Sequence, residues 1–229
     1  MRIHLVQRAR WVLLGVIVLC VVAGIALSWQ NARAGNGPGW LSRLAGPPQV
    51  LAGRHIGIVA GHSGNDSGTV CIDGLTEASV NRSIAELVVH ELTLYGATVD
   101  SLLEFDERLL GYQADVFVSI HSDSCQASKE MSGFKVASLE GGSEESGALA
   151  SCLWKSYAAA TGLRPNPNTV TRDMTDYHSF REIAPSTPAA IIETGFLNAD
   201  RSLLTEHPDR PAHGIVDGIR CFLLPAEGR

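Results

Sequence analysis

The longest unbroken apolar run in the chain lies near its start, over 11–29, where no charged residue interrupts the sequence and Trp11 and Trp29 stand at the two ends. At ~1.5 Å rise per residue such a helix matches a hydrocarbon core of ~30 Å, and tryptophans favour its two interfaces. Arg2, Arg8 and Arg10 precede the run. The positive-inside rule then puts 1–10 in the cytoplasm, makes 11–29 a transmembrane anchor and sends the rest of the chain across the membrane. A cleaved signal peptide is the competing reading, because Ala32-Arg33-Ala34 has the small-x-small form of a cleavage site, although the run exceeds the usual ~7 to 15 residue apolar core. Cys20 is not expected to carry lipid, since Val18 and Leu19 before it are not small.

Over 30–50 the pattern breaks into Gly35-Asn36-Gly37-Pro38-Gly39 and Gly46-Pro47-Pro48, which reads as a linker. From residue 51 to 229 short β-branched runs alternate with longer segments of helical period. The strands expected are 55–60 (HIGIVA), 98–103, 116–120 (VFVSI), 133–138 (GFKVAS) and 189–192 (AAII). Helices are expected at 76–95, where Val80, Ile84, Leu87, Val88 and Leu92 share a face, at 146–161 before Gly162, and at 209–224 with Ile215, Ile219 and Phe222 inward. A short helix is expected at 106–112. The alternation predicts one α/β domain with a mostly parallel central sheet and helices on both faces, preceded by the transmembrane helix.

Composition narrows this picture in two ways. With 18 Lys and Arg against 24 Asp and Glu, and no basic block beyond the first dozen residues, the footprint of a nucleic-acid binder is missing. Beyond the membrane run stand Cys71, Cys125, Cys152 and Cys221, an even number in a compartment where disulfides persist. Sequence alone does not give their connectivity. The pairing expected is Cys71 with Cys125, which follow two loops that must converge, and Cys152 with Cys221 on apolar helical faces; buried free thiols are the alternative.

Polar residues mark the ends of the apolar strands: His62 after HIGIVA, His121 after VFVSI and Glu193 after AAII. Ligands of open α/β sheets bind at that edge. Glu77 joins them if the following helix begins near Thr76, where a carboxylate also complements the helix dipole. Two imidazoles and a carboxylate are a usual catalytic zinc set with one position left open, and a second carboxylate, here Glu193, can serve as the acid/base. Each residue taken singly has a plainer reading, the histidines as hydrogen-bonded structural groups and Glu77 as a helix N-terminal charge. Glu193 is the hardest to dismiss, because a carboxylate between an apolar run and Gly195-Phe196 is expected to be partly desolvated and to need a partner or a task. His55 begins the strand whose far end carries His62, roughly 20 Å away at ~3.3 Å per residue, and reads as structural. Asp66 and Asp73 could orient ligands but read as turn residues.

Read together, Ala60-Gly61-His62-Ser63-Gly64-Asn65-Asp66-Ser67-Gly68, Glu77 with Asn81, 114–121 (ADVFVSIH) and 188–197 (PAAIIETGFL) resemble the zinc-dependent N-acetylmuramoyl-L-alanine amidases of the amidase-3 type, in that family's order and approximate spacing. The resemblance implies that His62, Glu77 and His121 hold zinc, that Glu193 is the catalytic carboxylate, and that the substrate is the peptidoglycan amide between N-acetylmuramic acid and L-alanine, cut during wall remodelling or cell separation at the outer face of the cytoplasmic membrane. A protein activator would be unidentified. The chain departs from the family pattern at Ser63, in the third position of the GHGG loop, and at Asp123, where asparagine is common. It also lacks the threonine-arginine pair after the second strand, is shorter between Val99 and Ala114, and carries no helical insert after GFKVAS to act as a plug. Asp123 and His178, the latter in a proline-bounded loop ahead of Glu193, are the candidates for substrate contact. Other zinc wall hydrolases, a carboxypeptidase or a deacetylase, could use the same ligands, and a non-catalytic wall-binding activator is the third reading.

Overall fold

The computed structural model describes residues 48–126 and 131–224, with Gly24 and Ala26. The chain divides into two units, Met1–Pro48 and Gln49–Arg229, and the elements named here belong to the second. The expected anchor over 11–29 and most of the linker over 30–50 lie outside the described residues. Among the described residues no helix is long and apolar enough to cross a membrane.

The element order is β1 (His55–Ala60), α1 (Glu77–Leu94), β2 (Thr98–Leu102), β3 (Val116–Asp123), β4 (Lys135–Ala137), α2 (Glu144–Thr161), α3 (Arg172–Thr175), α4 (His178–Glu182), β5 (Ala189–Phe196), α5 (Arg201–Glu206) and α6 (Asp209–Leu223). The sheet runs β2-β1-β3-β5-β4. Its first four strands are parallel, and only β4 runs against its neighbour β5. The expected helix at 106–112 is a single 3-10 turn, Glu107–Leu109, because the Asp106 side chain accepts from Arg108 N and Gly111 adopts a left-handed φ of 71° that stops the coil.

Alternation along the strands sorts two cores. Ile56, Ile58, Val118, Ile120 and Ile192 face the layer built by α1, α2 and α6. Val59, Phe117 and Ile191 face Met174, Tyr177, Phe180 and Ile183 from the segment that carries α3 and α4. In α1 the residues Val80, Ile84, Val88 and Leu92 are buried, with Ala85 and Asn81 beside them. Leu87, expected on that face, is exposed; at 100° per residue it falls at the margin of the stripe, where the sheet no longer covers it.

Two expected strand ends were placed too early. β3 continues through His121 to Asp123 and β5 through Glu193 to Phe196, so both polar residues are paired strand members, opposite one another in register. The extension is sustained by side chains that an apolar count misses. Ser122 Oγ donates to Asn81 Oδ1 at 2.9 Å and shares a 2.8 Å bond with Thr194 Oγ1, which also reaches His121 O at 3.0 Å. Between His121/Asp123 and Glu193/Phe196 the register slips by one residue. Gly195, at φ 150°, absorbs the bulge.

Disulfides join Cys71 to Cys125 and Cys152 to Cys221, with Cα–Cα distances of 5.5 and 5.7 Å. The second staples α2 to α6, which also touch at Gly214 and Gly218. A Cβ on Gly218 would lie 2.7 Å from Leu153 Cα, a backbone atom that cannot move aside. Gly218→Ala is therefore expected to destabilise the fold by about 1–3 kcal/mol through overpacking, despite alanine's better helix propensity. Urea unfolding tests this, and an unchanged midpoint would refute so close a contact.

At the opposite sheet edge from His62, His55 Nε2 lies 2.7 Å from Asp100 Oδ2, and the Tyr112 hydroxyl donates to the same oxygen at 2.8 Å. The hydrogen bond to His55 is the main reason that the Asp100 carboxyl sits below its ordinary range. A depressed folded pKa stabilises above the unfolded value of ~3.9 and loses that contribution as pH falls through the folded value. Thermal midpoints of wild type and Asp100→Asn should thus differ near neutrality and converge below about pH 4; a gap independent of pH would show that the carboxylate charge is not what matters.

Candidate metal centre

The loop after β1 turns sharply. Gly61 N donates to Ile120 O at 2.9 Å, and His62 follows with φ 64°, among the described residues the one non-glycine with positive φ. Such a conformation costs on the order of 1–3 kcal/mol and persists only where its surroundings hold it. Here the His62 backbone N–H donates to Glu104 Oε2 at 2.7 Å, and Nδ1 lies 2.6 Å from Asp66 Oδ1. Asp66 Oδ1 also accepts from Gly68 N at 2.7 Å, so this residue both closes the turn expected of it and orients His62. The strip of chain is glycine-lined for a reason. A Cβ on Gly61 would lie 2.4 Å from His121 Cε1, and one on Gly68 would lie 2.7 Å from both Glu77 Oε2 and His62 Cδ2.

Thr76 caps α1 by accepting from Ser79 N at 3.2 Å, which sets Glu77 in the first turn as expected. Glu77 Oε1 lies 3.1 Å from His62 Nε2 and 3.2 Å from His121 Nδ1. The same oxygen accepts from Asn81 Nδ2 and Ser122 N, each at 3.3 Å, while Oε2 accepts from Thr69 N at 3.2 Å. One donor atom each from His62, Glu77 and His121 falls within 4.8 Å of the others. Burial alone would raise the Glu77 carboxyl, yet hydrogen bonds from His121 and His62 hold it well below its usual range. Burial would lower His121, but Glu104 and Glu77 push it up to about 10. The cluster is built around positive charge. A nitrogen–nitrogen–oxygen donor set with room denied to any Cβ at Gly61 and Gly68 fits a divalent cation of zinc's preferences.

Glu193 stands opposite His121 across β3 and β5, on the same sheet face. Its Oε2 is shut off from solvent and, among the described residues, accepts no hydrogen bond. Burial pushes the carboxyl up to about 7, the positive charges of His121 and Lys135 opposing the rise. A carboxyl poised there can exchange a proton near neutral pH.

Asp123 accepts from Ser124 N at 2.6 Å and pairs with the buried Lys135 ammonium, which also lies 5.5 Å from the Phe196 ring centroid. His178, at the start of α4, has Nε2 2.9 Å from Glu104 Oε1 and Nδ1 3.0 Å from Glu182 Oε1, with its ring stacked on Phe105 at 4.4 Å. His178 reaches the cluster through Glu104, a carboxylate that the sequence reading did not single out, whereas Asp123 is tied to Lys135. Glu104 stands two residues past β2, a place like those of His62, His121 and Glu193, but the strand before it is half-exposed and carries no apolar run. Tyr177, buried between Ser119 and Glu104, carried no such signal. A cavity of about 640 Å³ lies elsewhere, lined by Leu139, Ser143, Phe180 and Ala189 among others, and none of the candidate residues borders it.

The sequence model of one protein family, described as N-acetylmuramoyl-L-alanine amidase, matches residues 56–221. The chain is 30% identical over 196 residues to the uncharacterized protein YqiI of Bacillus subtilis (strain 168), covering 80% of this chain and 91% of that protein. It is also similar to the catalytic domain of CwlV, an N-acetylmuramoyl-L-alanine amidase from Bacillus (Paenibacillus) polymyxa var. colistinus, with 28% identity and a TM-score of 0.56 over 74% of this chain and 98% of that one. The amidase AmiC2 of Nostoc punctiforme shares the fold at 24% identity and a TM-score of 0.59, covering 75% and 98% respectively.

If the cluster holds a divalent cation, Gly68→Ala, at φ 58°, is expected to weaken the binding of added zinc roughly tenfold or more, the scale on which displaced supporting contacts act, while circular dichroism stays unchanged. Competition with a coloured chelator measures it, and an affinity equal to wild type would show that the cradle is not needed.

Proposed function

Because this chain belongs to the N-acetylmuramoyl-L-alanine amidase family and is an enzyme of that class, we propose that it hydrolyses the amide between the lactyl group of N-acetylmuramic acid and L-alanine in peptidoglycan, with zinc held by His62, Glu77 and His121. The observation that carries this reading is the buried Glu193 Oε2, without a hydrogen-bond partner among the described residues and beside the cluster that fits a cation. A structural carboxylate at that depth would have acquired a donor. When bound, zinc supplies a Lewis acid for a carbonyl oxygen and eases deprotonation of water near neutral pH.

The residues do the rest. Glu193 accepts a proton from the attacking water as the new carbon–oxygen bond forms at the lactyl carbonyl. The same carboxyl then returns the proton to the alanine nitrogen as the carbon–nitrogen bond breaks, leaving a lactyl carboxylate and a free L-alanine amine. Burial favours the protonated form of this carboxyl, as a group that must hold the proton between the two steps requires. Asn81, by donating to Glu77 Oε1 and to Gly61 O at 3.2 Å, keeps the ligand carboxylate aimed at the two imidazoles.

The same proposal extends to placement in the cell. Residues 51–229 form the catalytic domain, 30–50 the linker and 11–29 an anchor that leaves 1–10 in the cytoplasm, so that the enzyme works at the outer face of the cytoplasmic membrane. The charge asymmetry about 11–29 supports this. The two disulfides agree with an oxidising compartment.

Glu193→Gln is expected to keep its zinc and lose ~10²- to 10⁴-fold in turnover, read by metal analysis beside single-turnover kinetics; near-normal rates would remove Glu193 from the chemistry. Mass spectrometry of digested muropeptides should show stem peptides with a new L-alanine amine. Shortened stems or deacetylated sugars alone would point to a different wall hydrolase, and wall binding without product to a non-catalytic role.

A further inference from the structure

Glu104 is engaged through both of its oxygens, yet no step of the proposed hydrolysis uses it. Its Oε2 accepts the His62 backbone N–H at 2.7 Å and lies 3.5 Å from His121 Nε2. Its Oε1 accepts from the Tyr177 hydroxyl at 2.7 Å and stands 2.9 Å from His178 Nε2. The residue is buried, and a buried carboxylate so fully engaged is a rigid reference point.

The proton positions around it follow from counting donors. Tyr177 has one proton, and it goes to Glu104. The phenol oxygen can then only accept, which it does from Ser119 Oγ at 3.0 Å and, at 3.4 Å, from His121 Nε2. Two acceptors, Glu104 Oε2 and the Tyr177 oxygen, thus face His121 Nε2, while Nδ1 faces Glu77 Oε1. For His62 the order is reversed, with Nδ1 against Asp66 Oδ1 and Nε2 against Glu77. An imidazole's free lone pair lies on the nitrogen away from its acceptor.

We propose that Glu104 is a positioning residue for the metal centre: it holds the left-handed backbone of His62 through one oxygen and, with Tyr177, keeps the proton of His121 on Nε2, so that the two histidines offer different nitrogens, Nε2 from His62 and Nδ1 from His121. The inference rests on the metal reading given above. Glu104 touches no reacting atom. Its effect is felt on metal affinity and on ligand geometry, and through them on turnover. Glutamine at this position keeps the shape but replaces one acceptor oxygen by an amide donor, which must then confront either the His62 N–H or the Tyr177 and His178 donors.

The test uses the full chain labelled with ¹⁵N-histidine and loaded with zinc. Long-range ¹H–¹⁵N spectra of wild type should place the metal on Nδ1 of His121 and Nε2 of His62, and E104Q should bind zinc about 10- to 100-fold more weakly by chelator competition. Zinc on Nε2 of His121, or a folded E104Q that binds zinc as tightly as wild type, overturns the proposal. Should E104Q fail to fold, the wild-type spectrum decides alone. A wild type that takes up no zinc removes the metal reading itself, and this inference with it.

Discussion

The site depends on one buried carboxylate oxygen, Glu77 Oε1, which lies within 3.2 Å of an imidazole nitrogen from each of two different segments. A charge in that position is tolerable only when its surroundings compensate it. Compensation comes from the first turn of α1, whose dipole favours an anion, and from Asn81, Ser122 N and Thr69 N. Every one of these donors is delivered by a different part of the fold: the helix itself, strand β3 and the loop after β1. Glu77 is therefore where the helix start, the strand register and the glycine-rich loop have to agree.

The same agreement is enforced from outside the cluster. The Cys71–Cys125 bridge ties the loop that follows His62 to the chain just past His121, and loss of chain entropy in the unfolded state is the usual source of such a bond's effect. On the far side of His121, Glu104 and Tyr177 close the imidazole in. The parallel register that puts His121 opposite Glu193 sets these two side chains on neighbouring strands, ~4.8 Å apart in the pairing direction. This is a short, stiff connection, and it explains how Glu193 is held in place although its Oε2 finds no hydrogen-bond donor among the described residues.

Much of this arrangement was legible in the amino-acid pattern. The strand 55–60 and the helix starts at Thr76 and near Asp209 follow from β-branched runs, a threonine cap and helical spacing, and they are local in origin. Errors arose where burial was decided by distant partners. Leu87 carries the right side chain at the wrong angle. His121 and Glu193 read as loop residues because they end an apolar run, whereas Ser122 and Thr194 continue the strands by satisfying each other and Asn81. Glu104 escaped notice because the strand before it, TVDSL, is half-exposed and lacks the apolar signature that drew attention to its neighbours.

The sequence by itself determined the class of fold, the order of its elements and the chemical types gathered at one sheet edge, because period and residue type are local properties that any register of the strands preserves. Only the tertiary structure decided which nitrogen of each histidine faces Glu77, that Glu193 Oε2 has no donor among the described residues, and that Asp123 is tied to a buried lysine. Those facts depend on distances of a few ångströms between residues as far as 44 positions apart in the chain, and one step of register would have changed all of them.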